Sequence, residues 1–163
     1  MISAFFEETM APAPRLSLRV PGSTSGVRRA IDALDAFVAR HGIVLRAPWQ
    51  VRLALDETLS NIVKHAYRGR THDIILVTFA VVGGEFQVTI ADSGPAYDPL
   101  KAPAPDIEAP LEARSPGGLG VYLVKKLMDR VEYRRAGGRN RLVLGRRLST
   151  RRGAGTRKLR QSS

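Results

Sequence analysis

The chain has 163 residues, 44% hydrophobic and 25% charged, enough for one domain with a proper apolar core. It holds no cysteine, which excludes disulfides, thiolate metal sites and cysteine nucleophiles. The formal charge of +11 gathers at one end: residues 146–163 carry seven Lys or Arg and no acid, leaving nineteen basic against fifteen acidic residues, or +4, on the body.

Residues 1–14 (MISAFFEETMAPAP) contain Glu7 and Glu8 and no basic stretch, so they read as a flexible leader rather than a secretory signal. Residues 15–20 (RLSLRV) alternate polar and apolar and stop at Pro21-Gly22, a first strand. Ser23, Thr24 or Ser25 can cap the helix that follows, whose apolar positions are Val27, Ile31, Leu34 and Val38. A second helix is expected over 49–67, with Val51, Leu55, Leu59, Ile62 and Ala66 as its buried stripe and Arg68-Gly69-Arg70 as its end. Residues 74–82 (IILVTFAVV) are rich in β-branched side chains and predict a central strand. Gly83-Gly84 turns the chain, and 85–91 (EFQVTIA) returns as an alternating strand.

The proline-rich stretch that follows shows little periodicity, and residues 95–117 read as a lid. Residues 119–128 form a third helix, and Gly137-Gly138 joins two last strands over 131–135 and 140–148. A domain over 15–148 results, with a mostly antiparallel or mixed sheet covered by helices on one face, and a basic tail over 149–163 without fixed structure. That tail can touch nucleic acid or an acidic partner non-specifically. No apolar run approaches the roughly 18 residues of a membrane span, and a cytoplasmic protein is expected.

The densest polar information lies in the second helix. Glu57, Asn61 and His65 are spaced by four and share one side, beside the apolar stripe. An asparagine oxygen is a hard, neutral ligand that Mg²⁺ accepts beside phosphates, and a glutamate can orient an attacking hydroxyl or take its proton. Lys64 and Arg68 can add positive charge. Taken alone, these residues equally describe a solvated helix face, and His65 has no zinc-like companions. Asp92, at a strand end before Ser93-Gly94, can accept a hydrogen bond from an adenine 6-amino group, though Asp-x-Gly is also ordinary turn chemistry. Gly117-Gly118-Leu119-Gly120 opens the third helix with free N–H groups suited to phosphate, but without the Lys and Ser/Thr of a P-loop.

Together these motifs resemble the GHKL, or Bergerat-type, ATPases, and within them the small anti-sigma-factor serine kinases of the RsbW and SpoIIAB type. LDETLSNIVKHAY over 55–67 carries the resemblance, with DSGP over 92–95, Asp98-Pro99, and GLGVYLVKKLMDRVEY over 118–133. The resemblance implies an α/β two-layer Bergerat sandwich with a mixed, largely antiparallel sheet, helices on one face and a mobile ATP lid. It implies ATP and Mg²⁺ as cofactors, Glu57 as catalytic base and Asn61 as the Mg²⁺ ligand. Asp92 would read adenine, Gly94, Gly118 and Gly120 would shape the pocket, Arg114 would contact the γ-phosphate, and Asn140 would line the adenine side. The implied reaction phosphorylates a serine or threonine of a STAS-domain anti-anti-sigma protein, with a sigma factor as alternative partner and a homodimer as the assembly. Ala96 departs from the family, which often has a second glycine there. Two other readings remain open at this level: an ATP-gated binding module without catalysis, and nucleic-acid binding through the tail. A histidine autokinase fragment would need a dimerising phospho-acceptor helix that the sequence lacks.

Overall fold

The computed structural model describes residues 13–67, 73–103, 105 and 119–149. The expected leader and basic tail lie almost wholly outside these residues, as do the terminator at 68–70 and most of the expected lid.

Alternation at the start gives β1 (Arg15–Pro21), and Ser23 then caps α1 (Thr24–Arg40), its side chain accepting from the Gly26 N–H at 3.4 Å. Val27, Ala30, Ile31, Leu34 and Phe37 bury the inner side of α1, so Phe37 rather than Val38 takes the last core position. Its ring meets Phe79 and Phe86 at centroid distances of 5.9 and 6.2 Å. Pro48 opens α2 (Pro48–Asn61), where a missing N–H costs nothing. The second helix does not run on regularly to 67. A π-helical turn, Ile62–Ala66, replaces its last α turn and closes with Tyr67 N–H donating to Ile62 O at 3.1 Å.

β2 (Ile74–Val82) and β3 (Glu85–Asp92) form a hairpin through Gly83 and Gly84, at φ 56° and 78°. A short 3₁₀ turn, Pro99–Lys101, follows, capped by Asp98. Then come α3 (Leu119–Leu127), β4 (Arg130–Ala136) and β5 (Arg139–Arg147), the last two joined by Gly137 and Gly138 at φ 55° and 74°. Two left-handed residues match the twist of the flanking strands, a conformation glycine takes without penalty.

The sheet order is β1-β2-β3-β5-β4, and all four ladders are antiparallel, so the expected mixed sheet needs no parallel pair among the described residues. β2 is interior, but β3 holds the centre. Register places Val20, Ile75, Val77, Phe79, Phe86, Val88, Ile90, Leu142 and Leu144 on one face, all buried in a single core with α1, α2 and α3. Asp92 and Asn140 end that face as a directly opposed pair. The polar end of an apolar face is where the fold offers chemistry.

On the opposite face, Glu85 reaches across β5 to Arg130 at 2.7 Å, passing over Gly145, where a Cβ would come within 2.1 Å of Glu85 Oε1. Hydrogen bonding from Arg130 holds the Glu85 carboxyl below its ordinary value of 4.5. The pair therefore stabilises the fold fully above that pH, and its contribution fades as pH falls below it. Gly145→Ala and Glu85→Gln should each cost about 1 kcal/mol at pH 7 and less at pH 3, read from urea midpoints. Equal losses at both pH values would remove the ion pair from the explanation.

Candidate functional site

The site begins with the anchoring of α2. Val51, Ala54, Leu55 and Leu59 are fully buried, and Thr58 turns its hydroxyl back to Ala54 O at 2.8 Å. Glu57 and Asn61, on the flank of that stripe, are half-buried, while Asp56 is exposed with only a 3.4 Å contact to Ser60. Lys64 and His65 are both exposed on the π turn.

The first turn of α3 lies on these two side chains. A Cβ at Gly120 would fall 2.4 Å from Glu57 Oε2 and 3.2 Å from Asn61 Nδ2. Only glycine permits that approach. Lys125, on the same helix, donates to Leu100 O at 2.8 Å and ties α3 to the 3₁₀ turn.

At the other end, the π turn presents Ala66 to Gly94, where a Cβ would come within 2.8 Å of the Ala66 Cβ and 2.9 Å of Asp92 Oδ1. Asp92 is 5% exposed, and its Oδ1 accepts from the Gly94 N–H at 2.8 Å and from Asn140 Nδ2 at 3.0 Å. Asn140 Nδ2 also reaches Pro95 O at 3.0 Å and Gly94 O at 3.4 Å. Its Oδ1 accepts from Tyr133 Oη at 2.8 Å and Arg135 Nη1 at 2.6 Å. Asn140 thus stands behind Asp92, holding the carboxylate and the following loop.

Glu57, Asn61 and Gly120 meet at one end of the α2–π segment, and Asp92, Gly94 and Asn140 at the other. Arg114 and Gly118 lie outside the described residues. Sequence reasoning gave Tyr133 and Arg135 no role, although Tyr133 ends the 118–133 motif. Their alternation with Val131 on β4 was the available signal, since it aims both at the helix-side face.

Among the described residues no group of three or more His, Cys, Asp or Glu could hold a metal. Mg²⁺ bound with phosphate oxygens needs only one or two protein oxygens, so the Asn61 amide beside Gly120 is a donor of the right kind. Among the described residues the site thus suits a cation carried by a nucleotide rather than a free-standing metal centre.

A family model described as the histidine kinase-like ATPase domain matches residues 20–146. The serine/threonine-protein kinase BtrW of Bordetella bronchiseptica is 36% identical over 121 residues, covering 71% of this chain and 85% of that protein. The serine-protein kinase RsbW of Listeria monocytogenes is 26% identical, covering 72% of this chain and 78% of the other. A crystal structure of the RsbU and RsbW domains of a Mycobacterium tuberculosis protein superposes with a TM-score of 0.61 at 20% identity, over 86% of this chain. This chain spans 34% of that larger one, and the likeness establishes the fold alone.

The contact between α3 and α2 makes a test independent of activity. Gly120→Val should cost about 1–3 kcal/mol in urea unfolding through overpacking. Shortening the obstructing side chain with Glu57→Ala should recover at least about 1 kcal/mol of that loss in the double variant. Strict additivity would mean the two residues do not touch.

Proposed function

The chain belongs to the histidine kinase-like ATPase domain family, on its branch of RsbW-type anti-sigma serine kinases, and from that premise we propose that it transfers the γ-phosphoryl group of ATP to a serine or threonine of a STAS-domain protein. One observation carries the reading: residues from three separated stretches converge along one helical segment, Gly120 on Glu57 and Asn61, and Gly94 on Ala66.

Each residue then has one task. Asp92 accepts a hydrogen bond from the adenine 6-amino group, with Gly94 letting the base approach. Asn61 contributes its amide oxygen to Mg²⁺, which neutralises phosphate charge when bound. Gly118 and Gly120 leave space and N–H groups for phosphate oxygens, and Arg114 reaches the γ-phosphate. Glu57 orients the acceptor hydroxyl and takes its proton as the new O–P bond forms, the bond to the β-phosphate oxygen breaks and ADP departs. The STAS partner brings its hydroxyl to the Glu57 side of the site. A sigma factor is the alternative partner, and the working form is a homodimer.

No helix among the described residues is long and apolar enough to cross a membrane, so nothing in them removes the site from an aqueous partner.

Incubating the full chain with Mg-ATP and its STAS protein should give phosphoserine or phosphothreonine on the partner. Glu57→Ala should slow transfer at least about 100-fold while ATP affinity stays within about threefold. Asn61→Ala should instead weaken ATP binding about tenfold or more, and only with magnesium present. Transfer undiminished in Glu57→Ala would defeat the assignment of that residue.

A further inference from the structure

We infer that Tyr133 and Arg135 are positioning residues that lock the Asn140 side-chain amide, hold Asp92 by Oδ1 so that Oδ2 is the oxygen left to a base, and thereby sharpen the site's selection of a purine carrying a 6-amino group. The inference rests on the nucleotide reading of the site and goes beyond it, because that reading gives neither residue a role.

An asparagine amide can face a neighbour with either end, donor or acceptor. Here the choice is forced. Tyr133 Oη and Arg135 Nη1 bring two hydrogens to Asn140 Oδ1, at 2.8 and 2.6 Å. A guanidinium can only donate. The opposite orientation would set Arg135 against an NH₂ group and leave two oxygens, those of Asn140 and Asp92, facing each other at about the 3.0 Å now spanned by a hydrogen bond. Arg135 Nη1 also donates to Gly94 O at 3.1 Å, so the same cation holds the loop that the base must approach.

The consequence passes to Asp92. With Oδ1 occupied by the Gly94 N–H and the Asn140 amide, Oδ2 is the oxygen that no recorded bond within the described residues engages. An ionised carboxylate offers acceptors and nothing else, and this one is held so that it offers Oδ2. A 6-amino purine satisfies it; a 6-oxo purine meets it oxygen to oxygen and leaves a buried charge unpaired, the kind of mismatch that separates ligands most strongly.

The lock makes an unusual forecast for Asp92→Asn. The new amide oxygen must still face Gly94 N–H and Asn140 Nδ2, both donors, so its NH₂ group turns toward the pocket. Preference should then reverse toward the 6-oxo base.

The test is isothermal titration of the full chain with Mg-ADP and Mg-IDP, which differ at the 6-position and do not turn over. The unaltered chain should prefer ADP by about 10- to 100-fold. Tyr133→Phe with Arg135→Ala should bring the ratio within about threefold, Arg135→Lys should keep most of it, and Asp92→Asn should reverse it. Should the double variant fold poorly, Tyr133→Phe alone, which removes one oxygen, should still lower the ratio measurably. If ADP and IDP weaken together with their ratio unchanged, the two residues merely support the fold and the inference is overturned. ADP and IDP binding equally well to the unaltered chain would also overturn it while leaving the nucleotide reading intact. Binding of neither would remove that reading itself.

Discussion

A carboxylate buried at the end of an apolar sheet face must be solvated by the protein, because water no longer does it. Asp92 is in that position, and the arrangement around it follows from strand register. A two-residue turn at Gly137 and Gly138 sets Arg135 opposite Asn140, and the β3–β5 ladder sets Asn140 opposite Asp92. Sheet alternation has period two, so slipping β5 by one residue would move Asn140 to the outer face and bring Arg139 or Arg141 into its row. The turn glycines therefore decide which side chain stands behind the carboxylate. Tyr133 and Arg135 complete the group only because the same turn brings β4 back in register.

The helical layer supplies the other half of the site through one element with two kinds of winding. As far as Asn61, α2 is regular, and its fully buried stripe fixes Glu57 and Asn61 on the neighbouring flank. Beyond it the wider π turn carries Ala66 against Gly94 and Tyr67 into full burial beside Gly22, where a Cβ would come within 2.3 Å of the Tyr67 ring. Such turns give up regular i→i−4 bonding and need tertiary contacts in return. Here the two glycines provide them.

Much of this was legible from pattern alone. β2 keeps its expected bounds, both Gly-Gly turns take positive φ, and Ser23 caps α1, because each of these is decided by local chemistry. The π turn was not legible, since IVKHA continues a helical pattern and only the packing of Ala66 and Tyr67 asks for the extra width. The choice of Phe37 over Val38 escaped for the same reason: Phe79 and Phe86 lie across from it, and periodicity cannot see across the core. Charge was misleading in another way. A body of +4 sounds evenly mixed, yet the register lines up Arg19, Leu76, Ala91, Arg141 and Arg134 in one row on the outer face. Of the site, the motif residues could be read in sequence, but the bonds of Tyr133 and Arg135 to Asn140 are set by pairing between strands, at which the alternation on β4 only hints.

The geometry also separates what must be fixed from what is free to vary. Gly94 is held against Ala66, and Gly120 against Glu57 and Asn61, so both ends of the pocket are referenced to the same helical segment. The chain between those glycines is tied to α3 at Leu100, where Lys125 donates, but the spacing of the Asp92 carboxylate from Glu57 follows from the glycine contacts. Its composition and length can therefore change without moving the two ends apart, provided the glycine contacts survive. This accounts for the weak periodicity of residues 95–117 beyond Asp98-Pro99, in contrast to the dense motifs on either side. It also locates the cost of an alanine at 96. That residue is exposed and lies two positions beyond Gly94 and its approach to Ala66, so a stiffer backbone there bears on the connecting segment rather than on the spacing of the two ends.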